Sequence, residues 1–521
     1  MSVDRSISNV ISEAKLAALL SDSAGLNTLT RGIEKESLRI SPDGKLALSP
    51  HPLGLGSALT HRAITTDFSE AQLELITGVH PSPEACLDEL QHIHQFVQKN
   101  LGEELLWPNS MPCILADQHD SIPLGYYGTS NVGKTKTLYR RGLGNRYGRL
   151  MQTISGIHYN FSIPEALWRT LNVHSQEQRT EAYFGLIRNF RRWSWLLIYL
   201  FGASPAVCRS FVQNYAHDLD QFSEGTFYLP FATSLRMGRL GYQSDAQSNL
   251  DVSYNSLAAY SHSMREALTQ SYPEYRQFNL MQDGEYGQLN DAILQIENEF
   301  YGTIRPKRSA ESGERPVTAL NRAGVEYVEV RCIDLDPFEA IGINSLQVRF
   351  LDTFLLLCLL VEAPPENIEE VARINANQTL VVERGREPGI GLMCDNKSIP
   401  LAEWAAQLLD QCEPIAQALD SAHNSSNYGE SLSKQRLKVI HPQRTPSAKI
   451  LAHLSEHASF FRFTNQQAKK LKEQLLAEPM VEEAQQELEQ EAAASLVRQQ
   501  HIENQETLSF PEYLKSYLSL P

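Results

Sequence analysis

Three short acidic segments with strand-like alternation constrain the fold of this chain most strongly. They are Gly32-Ile33-Glu34-Lys35-Glu36, Thr66-Asp67-Phe68-Ser69-Glu70 running on to Leu73-Glu74, and Glu326-Tyr327-Val328-Glu329-Val330-Arg331. Residues two apart in a strand point to one face, roughly 6–7 Å apart, which aligns Glu34 with Glu36 and Glu329 with Arg331. Buried carboxylates are costly unless a cation neutralises them. The pattern therefore predicts a metal–nucleotide site built on a sheet.

Each acid taken alone has a simpler explanation, because a glutamate on a strand usually faces water. Lys35 and Arg39, on the opposite face of the first segment, look equally suited to solvent. In the second segment, strand parity places Glu70 with Glu74 and puts Asp67 at a bend or strand entrance. Helical spacing would instead align all three, and periodicity leaves both interpretations open. Only the three segments together favour a site.

The charge balance argues against a nucleic-acid partner. Among 521 residues there are 46 basic and 62 acidic side chains, a net charge of −16, whereas nucleic-acid-binding surfaces are basic. Local basic clusters occur at Arg140-Arg141, Arg191-Arg192 and Arg305-Pro306-Lys307-Arg308. They are short, so we interpret them as solvated faces or an anion pocket.

Several observations favour a cytoplasmic protein without a membrane partner. The first residues lack the basic start and apolar core of a signal peptide. The most apolar stretches, 193–203 and 354–361, are too short to cross a bilayer and are expected to be buried helices. The seven cysteines are scattered without Cys-x-x-Cys spacing, which predicts neither disulfides nor a zinc site.

The segment pattern predicts an α+β fold with a mostly antiparallel sheet and one concave working face. We expect residues 1–365 to form the catalytic core and residues 366–521 a helical C-terminal lobe packed on it, not an independent domain. Strands are expected at 32–40, 67–77, 151–162, 292–299 and 325–335. Helices are expected at 8–30, 82–103, 177–201, 344–361 and along 466–505, with loops over 107–147 and 214–255.

One segment matches the phosphate-loop pattern G-x-x-x-x-G-K-[ST] at every position: Gly128-Thr129-Ser130-Asn131-Val132-Gly133-Lys134-Thr135. That motif works only between a buried parallel strand and a helix, because the loop amides must point at the phosphates. The preceding residues include Pro123 and Gly125 and contain no apolar run. We therefore expect an ordered loop near a substrate pocket instead of a phosphate loop.

Other polar residues are candidates for ligand contacts, each with a structural alternative. His158, in a strand-like segment, suits a metal or nucleotide contact but could equally be a core histidine. Arg236 could bind a substrate carboxylate through two hydrogen bonds, or form a surface ion pair. Tyr139, Tyr242 and Tyr301 lie in Gly-, Arg- and Asn-rich neighbourhoods and could bind an amino acid, although tyrosine more often serves in packing.

Longer blocks resemble the glutamate–cysteine ligase family of the proteobacterial type. The blocks are Arg31-Gly32-Ile33-Glu34-Lys35-Glu36-Ser37-Leu38-Arg39, Gly56-Ser57-Ala58-Leu59-Thr60-His61, Ile64-Thr65-Thr66-Asp67-Phe68, Trp107-Pro108-Asn109-Ser110-Met111-Pro112, Met151-Gln152-Thr153-Ile154-Ser155-Gly156-Ile157-His158-Tyr159-Asn160-Phe161, Tyr199-Leu200-Phe201-Gly202-Ala203-Ser204-Pro205, Gln295-Ile296-Glu297-Asn298-Glu299 and Glu329-Val330-Arg331. The resemblance is dense from about residue 25 to 360 and looser beyond. It implies a sheet of glutamine-synthetase-like type that curves around the site, with helices outside.

The resemblance also implies roles for particular residues. Four carboxylates resemble the family's magnesium ligands: Glu34, Glu36, Glu74 and Glu329. Asp67 and His158 resemble the family's contacts to metal or ATP, and Ile154 resembles a residue beside the bound ATP. Arg331 resembles the family's catalytic arginine, which contacts the transferred phosphoryl group of ATP. Four residues resemble the lining of the amino-acid pockets: Tyr139, Arg236, Tyr242 and Tyr301.

The implied activity is ATP-dependent ligation of the γ-carboxylate of L-glutamate to the amine of L-cysteine through γ-glutamyl phosphate, the first step of glutathione synthesis. Mg²⁺ is the implied cofactor, with Mn²⁺ as the alternative, and we expect a monomer. Because little chain follows the core, we expect the second step on a separate polypeptide. Two alternatives remain: a related ligase with another acceptor amine, and a non-catalytic nucleotide- or metal-binding sensor.

Overall fold

The computed structural model describes residues 11–112, 121–213, 216–241, 245–248, 250–279, 285–311 and 314–519. Its strands are β1 Thr30–Ile40, β2 Ile64–Thr66, β3 Gln72–Ile76, β4 Leu105–Leu106, β5 Ile157–Ser162, β6 Ala206–Cys208, β7 Asp220–Ser223, β8 Thr226–Tyr228, β9 Ile304–Lys307, β10 Tyr327–Ile333, β11 Gly391–Cys394 and β12 Lys397–Pro400. Its helices are α1 Glu13–Ser21, α2 Ser23–Leu26, α3 Pro83–Asn100, α4 Asn131–Tyr147, α5 Glu165–Thr170, α6 Gln176–Phe201, α7 Arg209–Val212, α8 Asp245–Ser248, α9 Leu257–Thr269, α10 Pro316–Ala323, α11 Ser345–Leu360, α12 Ile368–Arg384, α13 Leu401–His423, α14 Asn427–Ile440, α15 Pro446–His457, α16 Phe460–Ala477, α17 Glu482–Asn504 and α18 Phe510–Leu518.

A seven-stranded sheet forms the centre of the fold. Its strand order is β2-β3-β1-β5-β10-β9, with β4 beside β1, and every pairing is antiparallel. Smaller sheets are formed by β6-β8-β7 and by the β11–β12 hairpin. The antiparallel α+β architecture expected from the sequence is therefore confirmed.

One face of the large sheet is apolar and covered by helices. Residues on this face alternate with the acidic positions along each strand and are essentially inaccessible to solvent: Ile33, Leu73, Leu75, Tyr159, Phe161, Val328 and Val330. Helix α3 packs on β1 and α6 on β10, while α11 contacts both helices. Burial of this face is the main apolar stabilisation of the core, and it leaves the acidic face on the other side.

Two basic side chains expected in solvent are instead buried on the helix-covered face. Arg39 donates to Glu104 and to the Ser49 hydroxyl, each at 2.7 Å. Lys35 donates to Ser37 at 2.7 Å, and burial lowers its pKa to about 7. Hydrogen bonding inside the fold makes these positions compatible with a buried strand.

The C-terminal helices share the core of the N-terminal part. Leu197 on α6 and Leu409 on α13 belong to one continuous hydrophobic cluster. An ion pair of 2.7 Å joins Arg192 on α6 to Glu370 on α12. The boundary between residues 1–365 and 366–521 stays a prediction, but the two parts pack as neighbours. Among the described residues, no helix has the length and apolar character that a bilayer crossing requires.

A buried ion pair links the sheet to both sets of helices. The Arg31 guanidinium lies 3.2 Å from Asp352 on α11, and neither side chain is exposed. The hydroxyl of Tyr159 on β5 donates to Asp352 at 2.5 Å and that of Tyr428 on α14 at 3.4 Å. Asp352 therefore joins three elements that are distant in sequence.

Replacing Asp352 by alanine should lower the free energy of unfolding by about 3–5 kcal/mol, because Arg31 would remain buried without a counter-charge. Urea denaturation measures this change. Tyr428→Phe is the matched control, since it removes a single hydrogen bond and should cost only about 1 kcal/mol. Equal losses in the two variants would mean that the ion pair contributes nothing beyond one hydrogen bond.

The prediction of a loop over 107–147 was wrong for the second half of this segment, which forms the 17-residue helix α4. Ser130 caps the helix by accepting from the Gly133 amide at 3.2 Å, and Leu138 and Leu143 bury their side chains. Several glycines and polar residues lower the helix propensity of this segment. Tertiary packing overrides that propensity.

The phosphate-loop match is accidental, as expected. Residues 121–130 contain no strand, and Lys134 and Thr135 lie inside the first turns of α4. Lys134 is exposed to solvent. The expected ordered loop ends at Ser130, where the helix begins.

The acidic segment 67–77 is a turn followed by a strand. β3 begins at Gln72, and Asp67 lies at the bend after β2, which agrees with the bend that strand parity required. Glu70 does not share a strand face with Glu74, contrary to expectation. Its carboxylate accepts from the backbone amides of His51 at 2.9 Å and Tyr126 at 2.8 Å, so it stabilises the turn.

The prediction of a strand over 292–299 was also wrong, and the neighbouring strand β9 was not predicted. Asn290 and Glu299 accept hydrogen bonds from backbone amides within this segment, which ends in a 3₁₀ turn at Glu297–Glu299. Such side chains compete with the sheet ladder. The missed strand β9 contains Pro306, which is tolerated because β9 is the edge strand.

Candidate active site

The strand register brings the acidic residues onto one face of the sheet. Glu36 on β1 lies opposite Glu74 on β3, and Glu34 lies opposite His158 on β5. On the far side of β5, Glu329 on β10 continues the row. Side chains directly opposite each other in an antiparallel pair share one face. The register therefore assembles residues that are almost 300 positions apart in sequence.

Glu34, Glu74 and His158 form a candidate divalent-metal site. One ligand atom from each residue lies within 4.8 Å of the others. Glu34 is held in place by His158 Nδ1 at 3.2 Å and by the Asn160 side-chain amide at 2.9 Å. Carboxylate oxygens are the ligands preferred by Mg²⁺ and Mn²⁺. The donor set therefore fits a hard divalent cation.

The carboxylates on this face lie so close together that a cation is needed to stabilise their ionised forms. Burial, together with nearby Asp67, raises the pKa of Glu36 to about 8. Burial and the charges of Glu34, Asp67 and Glu36 raise the pKa of Glu74 well above its ordinary value. Glu34 differs: burial opposes its ionisation, but the hydrogen bond with His158 keeps its pKa below normal. A bound cation would favour the ionised form of all three.

Basic residues face the carboxylates from β9 and β10. Lys307 and Arg331 each lie 3.0 Å from a different oxygen of Glu329. Although burial alone would raise it, these two cations hold the pKa of Glu329 well below its usual range. Arg331 also approaches His158 Nδ1 at 3.4 Å. Glu329 is thus neutralised by protein cations, and its predicted role as a metal ligand would require these contacts to change.

These residues line a cavity of about 370 Å³. Nine of the residues singled out in the sequence reach it: Glu34, Glu36, Asp67, Glu74, Tyr139, His158, Tyr301, Glu329 and Arg331. Helix α4 forms one wall and contributes Lys136, whose pKa burial lowers to about 8. Gln152 donates to the Tyr301 hydroxyl at 3.1 Å, which fixes that hydroxyl at the cavity. Tyr301 also lines a neighbouring cavity of about 660 Å³.

Three predicted residues are not part of the described cavity wall. Ile154 is fully buried, and its carbonyl accepts from Gln72 at 3.0 Å. Arg236 is 3% exposed and donates to the Arg331 carbonyl at 2.8 Å, with Asp334 at 3.7 Å. A substrate contact by Arg236 would require a rearrangement of these bonds. Tyr242 lies outside the described residues, so its role stays a prediction.

Sequence reasoning did not assign several residues that line the cavity. Arg140, Arg305 and Lys307 belong to the short basic clusters, and their arrangement here supports the anion-pocket interpretation. The pair Arg191-Arg192 fits neither interpretation, since both side chains are mostly buried in ion pairs with Glu366 and Glu370. Gln152 and Lys136 in the cavity wall, and Asn160, which donates to Glu34 at 2.9 Å, carried no separate signal. For Asn160, its position two residues after His158 could have indicated the same strand face.

An antiparallel sheet with a carboxylate face beside arginine and lysine is the arrangement that an ATP-dependent carboxylate–amine ligase requires for its metal ions and polyphosphate. Residues 16–381 match the family described as glutamate-cysteine ligase. The chain belongs to the glutamate–cysteine ligase family.

Similar proteins agree with this assignment over almost their whole length. The chain is 47% identical over 499 residues to a glutamate–cysteine ligase of Pseudomonas entomophila, covering 94% of each chain. It is 47% identical over 519 residues to that of Alcanivorax borkumensis, covering 97% of this chain and 99% of the relative. A crystal structure of the Francisella tularensis glutamate–cysteine ligase in complex with AMP is 36% identical, with a TM-score of 0.89 and coverage of 94% and 97%.

A more distant structure supports the fold alone. The bifunctional glutathione synthetase of Pasteurella multocida is 24% identical, with a TM-score of 0.69. The match covers 89% of this chain and 55% of that protein.

Proposed function

We propose that this protein joins the γ-carboxylate of L-glutamate to the amine of L-cysteine with consumption of ATP. The observation that carries the proposal is the grouping of Glu34, Glu74 and His158 in one cavity with Arg331, which lies 3.4 Å from His158 Nδ1. Membership of the glutamate–cysteine ligase family supplies the substrates. The Francisella relative was solved with AMP, which supports an adenine nucleotide as co-substrate.

A carboxylate is a poor electrophile, so it must first be activated. In the proposed reaction a γ-carboxylate oxygen of glutamate attacks the terminal phosphorus of ATP, and ADP leaves. The cysteine nitrogen then attacks the acyl carbon of γ-glutamyl phosphate, loses a proton and displaces phosphate. Of the chain's own residues, we assign to Arg331 and Lys307, which both line the cavity, the stabilisation of charge on the transferring phosphoryl group. A divalent cation on Glu34, Glu74 and His158 would screen the polyphosphate.

No enzyme nucleophile is needed for this chemistry. The described cysteines other than Cys394 are buried. Burial raises the pKa of the Cys208, Cys332 and Cys412 thiols, which disfavours the reactive thiolate. Direct transfer through γ-glutamyl phosphate is consistent with these inert thiols.

Substrate roles follow from position in the cavity. We assign Tyr139 and Tyr301 to the amino-acid substrates, since both line the cavity and Gln152 orients the Tyr301 hydroxyl. Asp67 and His158 are assigned to the metal–ATP complex. We further propose Mg²⁺ as the physiological cation, a monomeric state and a cytoplasmic location.

The proposal is tested by ADP release from purified protein with Mg-ATP and L-glutamate, with and without L-cysteine, and by the mass of the product. We expect cysteine-dependent ADP release and a γ-linked dipeptide. Stimulation only by another amine would keep the ligase chemistry and replace the substrate. ATP binding without turnover for any acceptor would favour the sensor alternative and contradict the proposal.

A further inference from the structure

The C-terminal segment reaches the active-site cavity. We call residues 482–518, which include α17 and α18, the C-terminal strap. None of the site residues expected from the sequence lies in this segment, yet Tyr513 and Tyr517 on α18 line the same cavity as the acidic sheet face. Spaced four apart, they lie on one face of the helix. Their rings are parallel within 10° at a centroid distance of 6.2 Å.

Specific contacts hold α17 to the loops around the site. The Ser495 hydroxyl accepts from the Ser57 amide at 2.9 Å, and Glu503 accepts from the Thr129 amide at 2.7 Å. Gly128, the first glycine of the phosphate-loop match, has a φ of +82°, and a Cβ there would lie 2.3 Å from a Glu503 oxygen. Glycine at this position therefore permits the close approach of the strap.

Helix α18 is fixed against α4 by apolar packing. Leu514 is buried with Leu138 and Leu289 in a small hydrophobic cluster that also contacts Tyr517. The Leu508 carbonyl, just before the helix, accepts from the Asn131 side chain at 2.9 Å. These contacts determine where the two tyrosine rings lie.

The cavity is lined by charged residues and by an apolar group. The carboxylates, Arg331 and Lys307 belong to the sheet and the turn beside it, whereas Leu289, Ile296 and Tyr517 belong to one hydrophobic cluster, and Tyr513 also reaches the cavity. ATP has the same division, with a charged polyphosphate and a flat, weakly polar base. Neither glutamate nor cysteine has a planar ring that could stack on the tyrosine pair.

We propose that Tyr513 and Tyr517 provide a stacking surface for the purine base of ATP. This inference rests on the proposed function, since it takes the ATP-binding cavity as given. It makes the C-terminal strap part of the nucleotide site. It also gives a role to Gly128 of the phosphate-loop match, because this glycine allows α17 to pack closely against the loop.

The test compares ATP with inorganic triphosphate, which lacks the base. Dissociation constants for both are measured without amino acids, in wild type and in Tyr517→Ala. Stacking of a base on an aromatic ring contributes about a 5- to 150-fold gain in affinity. We expect ATP binding to weaken by roughly tenfold in Tyr517→Ala, while triphosphate binding stays unchanged.

Three further variants separate stacking from folding. Tyr517→Phe retains the ring and should bind ATP like wild type, and Tyr513→Ala should weaken ATP binding in the same direction as Tyr517→Ala. Lys515 is exposed on the same helix, so Lys515→Ala should change nothing. Unchanged ATP affinity in both alanine variants of the tyrosines, or an equal loss for triphosphate, would overturn the inference. These binding measurements do not depend on turnover. A negative result would therefore refute the stacking proposal without refuting the ligase assignment.

Discussion

Replacing Arg331 by alanine should lower turnover by at least about 100-fold, since it removes a charged donor from the site of phosphoryl transfer. The fold should survive, because Glu329 keeps its contact with Lys307 at 3.0 Å. The backbone carbonyl of residue 331, which accepts from Arg236, is also unaffected. Steady-state kinetics should place most of the loss in kcat and little in the KM for ATP, as expected for an interaction that strengthens in the transition state.

A matched control for this variant is Arg308→Ala. Arg308 follows β9 directly but donates to the Gly324 carbonyl and faces Glu326, away from the cavity. Its removal should leave kcat near that of wild type. Arg331→Lys keeps the charge but loses the planar donor geometry, so it should fall between the two. Turnover like that of wild type in Arg331→Ala would refute the assigned role.

Glu74→Gln should weaken divalent-cation binding by at least about 10- to 100-fold. Changes that act only through the neighbours of metal ligands already have effects of that size. The same variant should stabilise the metal-free protein at neutral pH. The raised pKa of Glu74 means that folding must protonate this carboxylate or bury its charge beside Glu34 and Glu36, and glutamine avoids both costs. Mn²⁺ titration followed by electron paramagnetic resonance measures the affinity, and Tm without metal measures the stability.

Glu70→Gln provides the control, because Glu70 is a buried carboxylate close in sequence that bonds to the backbone amides of His51 and Tyr126. It should leave Mn²⁺ affinity unchanged and lower stability by about 1 kcal/mol. A gain of stability in Glu74→Gln and a loss in Glu70→Gln would distinguish a carboxylate that binds metal from one that stabilises the fold. Similar Mn²⁺ affinities in Glu74→Gln and wild type would contradict the metal site.

The acidic face could be predicted from sequence because strand parity is a local property. Strand alternation with a period of two was enough to predict that two pairs of side chains share a face. The structure places all four of these residues on the cavity side: Glu34, Glu36, Glu329 and Arg331. Which residues lie opposite each other across the strands could not be read from that period. Register depends on turns and packing between distant segments, so the pairing of Glu34 with His158 appears only in the folded chain.

Two walls of the cavity were missed for physical reasons. Helix α4 has low intrinsic propensity and is stabilised by tertiary packing, so its residues Lys136 and Arg140 were left in a presumed loop. The strand that carries Arg305 and Lys307 contains a proline, which local rules place outside a sheet. The strap tyrosines Tyr513 and Tyr517 occupy an ordinary amphipathic helix, where a ring pair usually signals packing.

Transfer of oxygen from glutamate to phosphate would test the central claim most directly. L-glutamate carrying heavy oxygen in its γ-carboxylate is incubated with protein, Mg-ATP and L-cysteine, and the released phosphate is analysed by mass spectrometry. Because the acyl carbon–oxygen bond breaks when the amine displaces phosphate, one labelled oxygen should appear in phosphate for each dipeptide formed. Dipeptide formation with unlabelled phosphate would contradict activation through γ-glutamyl phosphate at this site.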